Sequence, residues 1–397
     1  MGSFDLSAVQ KALVEFQLDG WLLYDFRGLN VLGQRVMEVD PELGVSRRYS
    51  YFIPVNGEPR KLVHRIEQGT LDHLPGNDKT VYLAWQEFEN GLKYLVGDAK
   101  KVAMEYSPRN ANPYVSRVDA GTVELVRSFG PEIVSSGDLV QYFEARWDSQ
   151  QWNLHLEADT FTQQGFEIAW DFMAEEIRKN GAVREYTVQQ KVMDHFTSNG
   201  LETYHPPIIA IGKNAANPHY GPEQGNDAEL KEGDLVLVDM WAKMSKPRAV
   251  YSDLTKMGFL GTEVPQVYQD RFTIIAQARD AAIELVKERM SKDELLYGWE
   301  VDQVCRDVIV KAGYGDYFVH RTGHNIGQET HGNGAHIDNL ETQEDRRIMR
   351  NTCFSIEPGI YKEFGVRTEI DLFVDGEGKI HVTGGELQYD IVPILAR

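Results

Sequence analysis

Residues 353–374 read CFSIEPGIYKEFGVRTEIDLFV, two apolar strand patterns separated by a turn. In the first pattern, Glu357 follows the apolar run and directly precedes a Pro-Gly pair, where the chain must turn sharply. In the second, alternation places Arg367, Glu369 and Asp371 on one face. Solvent exposure is the ordinary reason for such a face, but an acid two positions from an arginine also suits a metal ligand with an orienting partner. We therefore expect Glu357 to be buried or functional, and both explanations of the second strand stay open.

Two further acidic residues belong to earlier strand patterns. Asp239 ends the apolar run LVLVD, and Asp253 lies in VYSDLT. Across a hairpin, these side chains could share one face and offer hard oxygens to a divalent metal ion. An aspartate at a strand end is more often a turn or capping residue, so this pair alone leaves both interpretations open.

Histidines concentrate in one stretch of the chain, which holds His320, His324, His331 and His336. In HRTGHNIGQETH, His320 and His324 would lie on the same side of an extended segment. Gly323 and Gly327 would allow other groups to approach closely. His219, in NPHYG, lies in a loop bounded by Pro and Gly, and active-site residues are common in such loops.

The pattern of helices and strands divides the chain in two. Before Asp148, a helical pattern precedes short apolar runs such as GWLLYD, YSYFIPV and VAMEY, which predicts an α/β domain. After it, long helical patterns alternate with strands in hairpin groups, which predicts an α+β layer. We predict helices at 151–179, 188–198, 265–288 and 299–312, with Thr187 and Gln190 forming a capping box for the second. Domains are expected at 1–148 and 149–397, because so long a chain exceeds one compact core.

The composition excludes several classes of protein. Of the 397 residues, 42% are hydrophobic and 26% charged, which is typical of globular proteins. The 61 acidic and 41 basic residues give a net charge of −20, so neither nucleic acid nor an anionic membrane is expected as a partner. Two cysteines are too few for a disulfide framework, and no apolar stretch is long enough for a membrane span. With no signal-peptide pattern, a cytoplasmic protein is expected.

Taken in order, VDM, YSDLT, HRTGHNIGQETH, SIEPGIY and VRTEID resemble the motifs of the pita-bread metallopeptidases, in particular aminopeptidase P and prolidase. The resemblance implies an α+β fold, with a C-terminal pita-bread catalytic domain preceded by a smaller α/β, creatinase-like domain. It also implies hydrolysis of short proline-containing peptides at the Xaa-Pro bond. Methionine aminopeptidases share the ligands but typically lack such an N-terminal domain.

The resemblance also assigns roles to single positions. Two divalent ions, with manganese preferred over cobalt or zinc, would be held by Asp239, Asp253, His324, Glu357 and Glu369. His219 and His331 would contact the scissile peptide, and His320 would line the proline side. Arg367 would orient a carboxylate, and Glu357 would act as general base while the ions activate a water for attack on the carbonyl. A homodimer is implied as well.

Three features depart from the resembled pattern. The hairpin between Asp239 and Asp253 is longer than usual, and Lys256 stands where SDxTR would have an arginine. The segment GNGAHIDNLET replaces a short acidic segment after His331. These departures concern substrate choice more than the metal site. Two alternatives stay open: a metal-dependent non-peptidase hydrolase or lyase on the same scaffold, and a catalytically inactive binding protein.

An arginine just beyond this segment could select the substrate. Arg346 or Arg347 could bind the terminal carboxylate of a dipeptide through two hydrogen bonds. The alternative is that TQEDRRIM forms a solvated helix, which the pattern slightly favours. Xaa-Pro dipeptides are nonetheless the expected substrates, because a closed loop would also exclude longer chains.

Overall fold

The computed structural model describes residues 4–218 and 220–397 and divides the chain into two compact units, Met1–Glu144 and Ala145–Arg397. The division lies shortly before Asp148, whose side chain caps the first helix of the second unit. Within these described ranges, no helix is long and apolar enough to cross a membrane.

The N-terminal unit is an α/β domain, as predicted. Its elements are α1 (Leu6–Glu15), β1 (Gly20–Asp25), α2 (Val31–Val36), β2 (Tyr49–Pro54), β3 (Arg60–His64), β4 (Asp78–Tyr82), α3 (Trp85–Val96), β5 (Lys101–Met104), α4 (Ala120–Ser128), β6 (Glu132–Ser135) and α5 (Gly137–Glu144). The strands form one mixed sheet in the order β4-β3-β2-β1-β5-β6. Along β1, Trp21 and Leu23 enter one apolar core while Leu22 and Tyr24 enter another. The run GWLLYD is continuously apolar because both faces of this strand are buried.

The C-terminal unit contains the remaining helices and strands. They are α6 (Ser149–Asn180), β7 (Ala182–Arg184), α7 (Glu185–Ser198), β8 (Leu201–Glu202), β9 (Ile208–Ile211), α8 (Gly212–Ala215), β10 (Glu229–Lys231), β11 (Leu235–Met244), β12 (Ser252–Phe259), α9 (Gln266–Ser291), α10 (Gly298–Lys311), β13 (Asn325–Ile326), β14 (Thr352–Ile356), β15 (Gly359–Tyr361), β16 (Gly365–Arg367), β17 (Ile370–Val374), β18 (Ile380–Thr383) and β19 (Val392–Pro393). One sheet has the order β19-β12-β11-β8, with β9 also on β11, and a second has the order β13-β14-β17-β18.

Strand β11 separates two apolar cores by the alternation of its side chains. Val236, Val238 and Met240 pack in the core that contains α6 and α7. Leu235 and Leu237 pack on the other face, in the core that contains α9 and α10. The next side chain on this second face is Asp239, the first predicted carboxylate ligand. The predicted metal site therefore lies on the side of β11 that faces the core containing α9 and α10.

The four predicted helices are confirmed, with ends within three residues of the predictions. Two details were wrong. Helix α7 begins at Glu185, so Thr187 lies inside its first turn and does not cap it. The pattern VRTEIDLFV is not one strand, because β16 ends at Arg367 and β17 begins at Ile370.

Candidate metal centre

The two aspartates lie on one face of the hairpin formed by β11 and β12. In the antiparallel register Asp239 is opposite Thr255, and Asp253 is opposite Trp241. Residues opposite each other in such a ladder share a face, so all four side chains point to the same side. Asp239 and Asp253 are 5% and 3% exposed. The hairpin predicted from the sequence is therefore present, and its extra residues lie at the tip beyond Met244.

His324 and Glu357 enter the site from two neighbouring segments. The Ser355 N–H donates to the carbonyl of His324 at 2.9 Å, and the Glu357 N–H donates to the carbonyl of Thr322 at 2.7 Å. A Cβ on Gly323 would lie 1.9 Å from the Ser355 carbonyl oxygen, so this close approach requires glycine. At Gly327 the nearest atom would be 3.9 Å away, so the predicted need for glycine is absent there.

The side chains of these segments converge on the aspartates. His324 Nε2 lies 3.3 Å from Glu357 Oε1 and 3.5 Å from Asp253 Oδ2. Burial, followed by the charge of His331, lowers the pKa of His324 well below its usual value. The imidazole is therefore neutral near pH 7, the form in which it can bind a metal ion.

Glu369 joins the same face through strand β12. Its N–H donates to the carbonyl of Thr255 at 3.1 Å, and its Oε2 accepts the Thr255 hydroxyl at 2.6 Å. The Thr255 hydroxyl also lies 3.0 Å from Asp239 Oδ1, although it has only one hydrogen to donate. Thr255 thus links two predicted ligands. Thr255 was not predicted from the sequence, although it follows Asp253 by two positions on the same strand.

Arg367 holds Asp239 from the opposite side. Its Nη2 donates to Asp239 Oδ2, its Nε donates to the Thr255 hydroxyl at 3.1 Å, and its Nη1 donates to the Tyr361 hydroxyl at 3.2 Å. The guanidinium is buried. The polar face of this segment is therefore not solvent-exposed, and Arg367 contacts a carboxylate as the resemblance implied.

The buried carboxylates raise the pKa values of one another. For Asp253 and Glu369, burial first and neighbouring carboxylates second raise the pKa well above its usual value. Burial also raises the pKa of Asp239, although Arg367 opposes the shift. Burial raises the pKa of Glu357 to about 7. One arginine therefore does not neutralise these four acids, and additional positive charge would favour their ionised forms.

This donor set fits a divalent cation. One potential ligand atom each from Asp253, His324 and Glu369 lie within 4.8 Å of one another. Glu369 Oε1 is buried, and within the described part of the chain it has no hydrogen-bond partner. A cation among these atoms would satisfy that oxygen and reduce the repulsion between carboxylates. Carboxylates with one imidazole are donors that manganese, cobalt and zinc accept.

The other histidines have different surroundings. The His331 ring lies 4.3 Å from the His324 ring, centroid to centroid, which places it beside the ligands. His320 contacts the Tyr361 hydroxyl through Nε2 at 2.8 Å and its Nδ1 lies 2.7 Å from the Arg321 carbonyl. His336 is buried and accepts the N–H of Asn325 at 3.1 Å, so it supports the loop. His219 lies outside the described residues.

Asp371 contacts the backbone of a predicted ligand, not its carboxylate. Its Oδ2 accepts the N–H of Asp253 at 2.9 Å and lies 4.0 Å from Nε2 of His155 on α6. Lys256 turns to the other face of β12, with its ammonium 5.1 Å from the ring centre of Phe166. The unusual lysine is thus not part of the ligand face.

Both explanations offered for Arg346 were wrong. Residues 342–350 contain no helix. Arg346 is 3% exposed, and its guanidinium donates to Glu344 at 2.8 and 2.5 Å and to the Asn333 carbonyl at 2.9 Å. Its donors bind the loop itself, so it does not present them to a substrate carboxylate. The mixture of acidic and basic residues in TQEDRRIM suggested a solvated helix, whereas Glu344 and Arg346 form a buried ion pair.

Comparison with known proteins identifies the family of this chain. The model of metallopeptidase family M24 matches residues 155–376. An Xaa-Pro dipeptidase of Lactobacillus helveticus is 31% identical over 231 residues, 58% of this chain and 57% of that protein. A putative dipeptidase of Bacillus subtilis, YkvY, is 27% identical over 348 residues, 85% of this chain and 87% of that protein. The chain spans about half the length of the first curated relatives it matches.

Solved structures support the fold. Dipeptidase PepE from Mycobacterium ulcerans has a TM-score of 0.63 at 21% identity, covering 98% of this chain and 96% of that one. The prolidase from Pyrococcus furiosus has a TM-score of 0.53 at 20% identity, covering 96% of this chain and 100% of that one. The predicted pita-bread fold is confirmed by this likeness. With more than half of its length matched by the family model, the chain belongs to metallopeptidase family M24.

Proposed function

We propose that this protein hydrolyses Xaa-Pro peptide bonds with two divalent metal ions, manganese being preferred over cobalt or zinc. The observation that carries the proposal is the buried convergence of Asp253, His324 and Glu369, with Glu357 beside His324. The similarity to proteins named Xaa-Pro dipeptidase supports the substrate class. Asp239 would be the fifth ligand, once its pairing with Arg367 adjusts to the second ion.

The residues around the site suggest how the chain would use the ions. When bound, divalent ions polarise a scissile carbonyl and lower the pKa of water. Glu357 would accept the proton of the attacking water and return it to the leaving nitrogen, since its carboxylate lies beside His324 at the proposed metal site. Thr255 and Arg367 would fix the orientations of Glu369 and Asp239 through the hydrogen bonds described above.

The histidines would act on the peptide. His331, next to His324, would donate a hydrogen bond to the oxyanion that develops on the carbonyl. His320, fixed by Tyr361, would line the proline side, and His219 would contact the scissile peptide. Proline itself would be selected by a pocket shaped around its ring and its missing N–H.

Substrate length and assembly are further parts of the proposal. Xaa-Pro dipeptides are the proposed substrates, although the guanidinium of Arg346 binds Glu344 and Asn333 and so does not select a substrate carboxylate. We also propose a cytoplasmic homodimer, and an N-terminal domain that ends close to residue 148. Light scattering should give about twice the chain mass of 45.2 kDa. A strict monomer at micromolar concentration would refute the dimer.

A peptide panel tests the reaction. Metal-free protein loaded with Mn²⁺ is assayed with Xaa-Pro, Xaa-Pro-Xaa, amidated Xaa-Pro and Xaa-Ala peptides, and with non-peptide amides as substrates of a different hydrolase or lyase. The proposal expects hydrolysis of Xaa-Pro peptides and none of Xaa-Ala. Turnover confined to the non-peptide compounds would reject it.

A further inference from the structure

Three aromatic side chains form a contiguous surface beside the ligand face. Trp241 lies on β11, and Tyr204 and His205 lie in the connection between β8 and β9. The ring centres of Tyr204 and His205 are 6.0 and 5.9 Å from that of Trp241, and the planes of His205 and Trp241 are inclined by 24°. Tyr204 also contacts Tyr251 edge-on at 6.2 Å. We call Tyr204, His205 and Trp241 the aromatic rim.

The aromatic rim adjoins the carboxylates directly. Trp241 is two positions after Asp239 on β11 and directly opposite Asp253 on β12, so its side chain shares their face. The connection that carries Tyr204 lies over this face. The negative charges of Asp253 and Asp239 add to the effect of burial in raising the pKa of Tyr204, which agrees with this proximity.

The exposure of the aromatic rim is uneven. Trp241 is 9% exposed, whereas Tyr204 is 66% exposed and His205 is also exposed. Most of the Tyr204 ring could therefore stack on another group without any rearrangement of the core. Scattered exposed aromatic residues are common on proteins. This one differs because a buried tryptophan supports it and because Asp253 and Asp239 lie near enough to act on its hydroxyl.

We propose that the aromatic rim binds the side chain of the residue preceding proline and selects an aromatic or large apolar residue there. The inference rests on the proposed function. His320 contacts Tyr361, at the end of β15, whereas the rim rises from β11 and the connection before β9. The residues proposed for the proline side and those of the aromatic rim thus lie on different segments of the chain. The adjacent carboxylates would attract the protonated amino group of the same residue.

The test compares Phe-Pro, Leu-Pro and Gly-Pro as substrates of the metal-loaded protein. In the wild type, kcat/KM should follow the order Phe-Pro, Leu-Pro, Gly-Pro. Tyr204→Ala should lower kcat/KM for Phe-Pro by about 2- to 10-fold, chiefly through KM, and leave Gly-Pro nearly unchanged. Tyr204→Phe keeps the ring and should retain the preference. Tyr94→Ala, which removes a tyrosine of the N-terminal unit that is 52% exposed, is the matched control.

The outcomes separate the two proposals. No hydrolysis of any Xaa-Pro peptide would reject the proposed function itself. Hydrolysis of Gly-Pro as fast as Phe-Pro, or an equal loss on all three peptides in Tyr204→Ala, would overturn the rim as a specificity site. Calorimetric titration of chelator-treated protein with Phe-Pro and Gly-Pro gives a readout independent of turnover. Tyr204→Ala should weaken binding of Phe-Pro only, and identical affinities in wild type and variant would also overturn the inference.

Discussion

Replacing Arg346 by alanine should destabilise the protein far more than replacing a nearby surface arginine. Arg346 is 3% exposed and its partner Glu344 is fully buried. The substitution removes two hydrogen bonds to Glu344, at 2.8 and 2.5 Å, and one to the Asn333 carbonyl. Removing one partner of a buried ion pair lowers the free energy of unfolding by about 3–5 kcal/mol, because the charge of the other partner stays buried without compensation.

The remaining contacts of Glu344 set the expected magnitude within that range. After the substitution, its carboxylate still accepts the N–H groups of His336 and residue 346, both at 3.1 Å. These donors compensate part of the charge, so we expect a loss of about 3 kcal/mol in the free energy of unfolding. The control is Arg350→Ala. Arg350 pairs with Asp293 at 2.8 Å, but its side chain is 43% exposed, and such a pair contributes about 0–1 kcal/mol.

The assay is urea unfolding of the chelator-treated protein, followed by circular dichroism. Arg346→Ala should shift the midpoint strongly and Arg350→Ala little. The double variant Glu344→Gln/Arg346→Met, which removes both charges, should recover part of the loss. Equal small shifts for both arginines would refute the buried pair and would return Arg346 to the list of possible substrate contacts.

Three further predictions concern the metal centre. Asp253→Ala should abolish hydrolysis and lower metal content while circular dichroism stays unchanged, because no neighbour can replace a carboxylate shared by the site; near-normal turnover would place another residue there. His331→Ala should lower kcat by about 10²-fold or more with metal content unchanged, as measured by elemental analysis, and a parallel loss of metal would make His331 a ligand. In the metal-free protein, Glu357 should reduce stability as pH rises from about 4.5 to 7, because the folded form retains its proton up to a pKa of about 7 whereas the unfolded form has lost it. Between pH 5 and 8, urea unfolding of the wild type should therefore shift by about 2–3 kcal/mol toward lower stability relative to Glu357→Gln, and the same pH dependence in both proteins would contradict the assignment.

The sequence predicted the framework of the site because local patterns determine it. The apolar run LVLVD identified β11, and Asp239 at the end of this run proved to be buried. The resemblance then indicated which residues would meet. The structure brings Asp253, His324, Glu357 and Glu369 together, and it pairs Asp239 with Arg367.

What the sequence could not predict depends on contacts between distant segments. Thr255 between Glu369 and Asp239 looks like an ordinary strand residue until β17 is placed beside β12. Glu185, in the first turn of α7, is fully buried and accepts the N–H groups of Ile211 and Ala228. No periodicity marks such a residue, since a glutamate at a helix start usually faces solvent.

The burial of Arg346 was missed for a related reason. Mixed charges in TQEDRRIM satisfy the pattern of a solvated helix, and only tertiary packing reveals that one of them is enclosed. Burial of a charge depends on a partner and on the path of a loop, and both are long-range properties.

We propose that bound metal at the carboxylate site makes this chain an Xaa-Pro peptidase. The most direct test titrates Mn²⁺ into chelator-treated protein and records bound metal and the rate of Leu-Pro hydrolysis in the same samples. We predict that hydrolysis rises with occupancy and saturates at about two ions per chain, and that Asp253→Ala shows no such rise. Hydrolysis that persists in excess chelator, or a fully loaded protein that cleaves no Xaa-Pro peptide, would contradict the proposed metal-dependent reaction.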